Sequence, residues 1–105
     1  MAGLRERPRR LEVWRLKDGK RLVLNVQSDL LESLDTFVVV PLLRPGGLTA
    51  IEGINPIVQV AGQPFVLAVQ GMTAIAGSQM RDRVADLGQD GEAVLKALDR
   101  LLTPP

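Results

Sequence analysis

Arg21-Leu22-Val23-Leu24-Asn25-Val26-Gln27-Ser28-Asp29-Leu30-Leu31, followed by Val38-Val39-Val40-Pro41-Leu42, decides how this chain folds. The first run reads as a strand, Arg21 to Gln27, with Leu22, Leu24 and Val26 on one face. Ser28 to Asp35 is a polar connection that carries two adjacent leucines. Thr36 to Leu43 is almost continuously apolar, which predicts a strand buried on both faces.

Working outward, Leu11-Glu12-Val13-Trp14-Arg15-Leu16 alternates as a strand does, and Asp18-Gly19 predicts a hairpin turn joining it to Arg21. Arg44-Pro45-Gly46-Gly47 breaks the third strand. Leu48 to Asn55 reads as a loop. Residues 56–60 and 64–69 read as a second hairpin, with Pro64 at a strand start or on an edge. Met72 to Ala76 is a short strand, and Gly77 is placed at its end. From Asp90 the period changes. Val94, Leu95, Leu98, Leu101 and Leu102 recur at helical spacing. Asp90 is the expected N-cap, with Glu92 in the first turn. The prolines after Thr103 end the helix. The expected fold is mainly β with one C-terminal helix. A single domain over 11–105 comprises a β barrel at 11–77 and a helix at about 90–102. Residues 1–10, charged and without periodicity, read as a disordered basic tail.

Composition narrows the chemistry. The chain has 105 residues, with no cysteine and no histidine. Without histidine there is no Ser-His-Asp nucleophile, and the usual neutral-pH base and commonest metal ligand are missing. No acidic group has metal-ligand spacing, and no Gly-rich loop opens a helix. The expectation is therefore a binding protein, not an enzyme, with no cofactor and no metal. Lack of cysteine fits a cytoplasmic setting. No run reaches the roughly 20 apolar residues of a membrane span.

Net charge is +1, but unevenly placed. Arg5, Arg7, Arg9, Arg10, Arg15, Lys17, Lys20 and Arg21 crowd the start. One reading is attraction to an acidic partner. The favoured reading is a solvated tail and an exposed hairpin edge, since no aromatics are interleaved for base stacking. Direct sequence-specific nucleic-acid binding is not expected.

The ordered set Val13, Arg21-Leu22, Val26-Gln27-Ser28-Asp29, Val39, Pro41-Leu42, Pro56, Val58, Met72 and Val84-Ala85-Asp86-Leu87 resembles the CcdB family. Those proteins are the DNA gyrase poisons of bacterial toxin–antitoxin modules. The likeness runs from about Leu11 to Leu102, without gaps from Pro56 to Leu87. It implies an SH3-like antiparallel barrel with a C-terminal helix, assembled as a two-fold homodimer. It also implies two partners, the gyrase A subunit and a CcdA-like antitoxin.

The resemblance assigns roles by position. Contacts to gyrase fall on Leu30, Leu31, Asp99 and Leu102, and on the end residues Thr103, Pro104 and Pro105. Family poisons finish in Trp-Gly-Ile, whereas this chain has Thr103-Pro104-Pro105. A tryptophan anchor typical of binding hot spots is thus replaced. The alternative implied is a non-poisoning homologue that keeps its dimer and antitoxin. Leu30 and Leu31 can be read as a contact patch or as ordinary core. Met72, with Val26 and Leu98, falls at the implied dimer interface, and Met72 can equally be a core filler. Arg15, Leu16, Lys17 and Arg44, with the Arg44 to Ile54 loop, are the implied antitoxin-binding positions. Trp14 is expected to pack inward. Gln27-Ser28-Asp29 is expected to tie the strand end to the turn.

Overall fold

The computed structural model of the protein describes residues 6–46, 51 and 54–103. Strand β1 (Glu12–Leu16) turns back into β2 (Leu22–Asn25), with Val13 opposite Leu24 and Arg15 opposite Leu22. The turn between them rests on Asp18, whose carboxylate accepts from the N–H groups of Lys20 and Arg21. Gly19 supplies a φ of +77°. Glycine reaches that value without the Cβ clash other residues meet.

Strand β3 (Thr36–Leu43) has β2 along one edge, with Val40 opposite Leu24. Its other edge is shared. Strand β5 (Gln63–Leu67), the return arm of a hairpin with β4 (Ile57–Val60), pairs at Leu42 and Leu43. Strand β6 (Thr73–Ala76) pairs with Thr36 to Val39. A single 3-10 turn at Gly77–Gln79 then leads into β7 (Met80–Asp86), which pairs with β1. The antiparallel sheet therefore curls on itself into a half-barrel. Helix α1 (Gly91–Leu102) follows. Mainly β with one C-terminal helix, as the sequence predicts, is the architecture found.

Two hydrophobic cores lie on opposite faces of β1, β2 and β3. Trp14, Leu16, Val23, Phe37, Val39 and Met80 fill the smaller one, inside the curl. Val13, Leu24, Val40 and Leu42 point the other way, into a larger core with Val58, Val60, Leu67, Val94 and Ala97. The period-2 alternation of the strands sorts residues between the two. It also gives β3 its unbroken apolar run, because both of its faces are buried. Trp14 packs inward, and its indole N–H donates to Glu12 at 3.1 Å.

Three local expectations are corrected. From Glu6 to Arg10 the chain lies against the barrel through hydrogen bonds and is not a free tail there, while residues 1–5 lie outside the described range. The barrel does not stop at residue 77, because β7 extends it to Asp86. The charged run Arg81-Asp82-Arg83 hides that strand in the sequence, and such charges suit an exposed edge. Asp90 precedes α1 but makes no side-chain cap bond. A 3-10 turn at Gly88–Asp90 runs directly into the helix, and the Gly91 N–H already donates to Gly88 O. Asp86 starts that turn instead, accepting from the Gly88 N–H at 2.8 Å.

Candidate binding surfaces

The loop after β2 is tied down by its polar residues. Gln27 donates from its amide to Thr36 O and accepts from Val38 N–H, extending the β2–β3 pairing past the last strand residue. Ser28 Oγ accepts from Leu30 N–H at 3.1 Å and so caps a 3-10 turn at Asp29–Leu31. Asp29 accepts from Arg10 N–H at 2.9 Å and pairs with the Arg9 side chain at 3.5 Å. With the backbone held this way, Leu30 stands 91% exposed and Leu31 46%. The core reading therefore fails for Leu30. Leu34, which sequence reasoning passed over, is exposed beside them.

The end of α1 is the second surface. Leu102 is 69% exposed, and Leu95 two turns earlier is exposed too. Leu98 and Leu101 turn inward and pack against the larger core. Thr103 folds back on the helix, with both its N–H and its hydroxyl donating to Asp99 O, at 2.8 and 2.6 Å. Asp99 itself is exposed. Pro104 and Pro105 lie outside the described residues. Val26 and Met72, like Leu98, are partly buried against the larger core.

A third surface is a basic groove of about 300 Å³ lined by Arg15, Lys20, Arg21, Leu22, Leu42, Leu43, Arg44 and Phe65. The Arg44 guanidinium lies 4.9 Å from the centre of the Phe65 ring, in cation–π range. Arg21 pairs with Asp18. That pairing, with the backbone N–H of Arg21 foremost, holds the Asp18 carboxyl far below the usual carboxylate range. A small apolar cavity adjoins the groove, sharing Leu22, Leu42 and Leu43 with it and reaching Val39 and Ile75.

The structure brings Arg15 and Arg44 together here, though they are far apart in sequence. It does not bring Leu16 and Lys17 with them. Leu16 is buried in the smaller core, since alternation turns it away from the face that bears Arg15. Lys17 is exposed but does not line the groove. Lys20 and Arg21, noted in the sequence only as part of the basic start, also line the groove, and Phe65 was missed. The first two sit in the turn of the β1–β2 hairpin, and Phe65 arrives by the β3–β5 pairing, which no local pattern encodes. Residues 47–50, 52 and 53 of the adjoining loop lie outside the described range.

No helix of the described residues is long and apolar enough to cross a membrane. Comparison with solved structures finds the same fold in distant chains. An endoribonuclease in complex with its cognate antitoxin, from a mycobacterial species, matches with a TM-score of 0.75 at 14% identity, covering 93% of this chain and 99% of that one. A second mycobacterial endoribonuclease matches at 0.75 and 15%, covering 97% of each chain. The Mycobacterium tuberculosis toxin MazF-mt6 matches at 0.68 and 18%, covering 87% of this chain and 94% of that one. No curated protein sequence matches. The sequence model of the CcdB protein family, by contrast, matches residues 10–104, which takes in every strand, the polar loop after β2 and the whole of α1. A match of that extent, on a half-barrel with a C-terminal helix, makes this chain a member of the CcdB family.

Proposed function

We propose that this protein is the toxin-type half of a toxin–antitoxin pair and acts by binding the gyrase A subunit, without catalysis of its own. Family membership supports the reading, and one observation carries it: apolar side chains, Leu30 and Leu102, stand exposed at the positions the family uses for its target. Exposed leucines cost solvation in a lone chain and repay it when a partner covers them. A ligand that prefers the cleaved-DNA state of gyrase shifts the enzyme toward that state. The protein works as a homodimer in this reading, with Met72, Val26 and Leu98 near the two-fold axis. A cytoplasmic, CcdA-like antitoxin neutralises it. An acidic antitoxin segment fits the groove between Arg15 and Arg44, where charge and the Phe65 face are both available.

The test is a plasmid cleavage and supercoiling assay with purified gyrase at rising protein concentration. Accumulation of cleaved plasmid is expected, and it is lost in Leu30→Ala. No cleavage or inhibition at a large excess over enzyme overturns gyrase binding. A ribonuclease assay run in parallel separates this reading from the activity named for the mycobacterial structures.

A second reading is favoured by one observation. Thr103 spends its hydroxyl and its N–H on Asp99 O, so the helix end offers no anchor of the size a tryptophan would provide. In this reading the protein keeps its antitoxin and does not poison gyrase. Replacing Thr103-Pro104-Pro105 by Trp-Gly-Ile then confers cleavage activity that the natural end lacks.

A further inference from the structure

Glu6 to Arg9 lie ahead of the span matched to the family, which begins at residue 10. They nonetheless form a strap over the loop that bears Leu30 and Leu31. Arg7 donates from Nη2 to Leu31 O at 3.0 Å and from Nη1 to Leu34 O at 3.1 Å. Its guanidinium lies 4.7 Å from the centre of the Phe37 ring, so it bridges the loop and the smaller core. Pro8 is buried. The Arg9 N–H donates to Glu12 at 2.7 Å, and the Arg10 N–H to Asp29 at 2.9 Å. Arg83 of β7 grips the other end, bonding Glu6 at 2.7 Å and Glu12 at 3.0 Å.

The junction with β1 is conformationally costly. Leu11 has a φ of +67°, in the left-handed region that a leucine rarely adopts. Such a residue persists when contacts on both sides fix it. Leu11 N–H donates to Asn25 O, Leu11 O accepts from Leu87 N–H, and its side chain is in the larger core. The chain thus turns sharply out of β1 to lay the strap on the loop.

The 3-10 turn at Asp29–Leu31 buries none of its own residues. Packing therefore cannot set its shape, and polar anchors must. The two carbonyls that Arg7 takes belong to the two residues that close the loop, since Leu34 N–H donates to Leu31 O. A planar fork of donors meets both at once in a fixed geometry, whereas an ammonium on its flexible stem is less pre-organised to hold the pair.

We propose that the Glu6–Arg10 strap positions the contact loop, with Arg7 as the positioning residue that fixes the Leu31 and Leu34 carbonyls and presents Leu30 outward to a protein partner. The second part rests on the reading of Leu30 as a partner contact. Ordering the loop in advance lowers the entropy lost on binding.

The experiment is amide hydrogen exchange of the free full-length protein, followed by titration against the gyrase A subunit, for wild type, Arg7→Ala, Arg7→Lys and Leu30→Ala. In Arg7→Ala, exchange at the Leu31 and Leu34 amides rises about tenfold while β1–β3 amides are unchanged. Arg7→Lys gives an intermediate rise. Affinity falls about tenfold in Arg7→Ala, and the Arg7→Ala, Leu30→Ala double variant binds no more weakly than Leu30→Ala alone, because Arg7 acts through Leu30. Unchanged loop exchange, or a uniform rise at all amides, overturns the strap. Additive losses of affinity overturn its link to Leu30. If wild type does not bind gyrase, the proposed function falls and the exchange data still decide the strap.

Discussion

At the residue scale, Asp18 shows how one carboxylate organises a turn. It accepts from two backbone N–H groups and pairs with the Arg21 side chain. These favour the charged form, so its folded pKa lies well below the ordinary value. A depressed carboxylate contributes stability that is fully present above its unfolded pKa and is lost as pH falls through the folded one. Asp18 is therefore expected to stay ionised at about pH 3, below the usual carboxylate midpoint of about 4. A carboxyl-carbon NMR titration checks this, and a midpoint at or above the ordinary value contradicts it. Asp18→Asn should weaken the fold at neutral pH, with the difference from wild type vanishing in strong acid. Ala61 is the opposite case, a residue poorly suited to its place. It has a φ of +51° in the two-residue turn with Gly62 between β4 and β5. Asparagine tolerates that region better, and Asn-Gly suits such turns. Ala61→Asn is thus expected to stabilise the protein by roughly 0.5–1 kcal/mol, read as a higher midpoint in urea. The polar roles of Gln27 and Ser28 were legible from the sequence, because short polar side chains bond to backbone nearby. The exposure of Leu30 was legible only in part, since two adjacent leucines just after a strand can be a contact patch or ordinary core. It depends on Arg7 and Arg10, far back in the chain, holding the loop open.

At the element scale, hairpins and the helix were readable, and the closing strand was not. Local alternation and turn residues announce β1, β2, β4 and β5. β3 announces itself by apolar content alone. β7 carries Arg81-Asp82-Arg83 and meets β1 with two register shifts, so neither period nor composition marks it. Its charges work across the strand pair, with Arg15 to Asp82 at 3.8 Å and Arg83 to Glu12 at 3.0 Å. The corner before it depends on Gly77. A Cβ there would sit 3.0 Å from Phe37 Cε2 and 3.2 Å from Asp35 O. The basic groove is likewise a property of paired elements: β1, β2, β3 and β5 each supply part of it. Reversing one charge in it, Arg44→Glu, should weaken an acidic antitoxin peptide by about tenfold or more and flatten the salt dependence of binding. Calorimetry at two ionic strengths checks this. Equal affinity for both variants removes the groove from the interface.

At the scale of the whole molecule, the two cores share β1, β2 and β3 as their common wall. Neither can come apart without exposing the back of the other, so a single cooperative transition is expected. Leu24 is fully buried in the larger core. Leu24→Ala should cost about 2–5 kcal/mol and should shift fluorescence of Trp14, in the smaller core, together with circular dichroism. Separate midpoints for the two probes would show independent cores. Composition and patterning set the fold class in advance, but which face each strand gives to which core follows from the curl of the sheet. That curl also governs the order in which the protein can come into being. β1 is made early, yet its outer partner is β7, some seventy residues later: Glu12 faces Asp86. At ribosomal speed of about 5–20 residues per second, the first strand waits several seconds for its last neighbour. Until then the sheet lacks its last strand, and Arg83 is not there to hold Glu6. The strap over the Leu30 loop is thus completed only once β7 has been made, later than the basic groove, whose strands all precede it.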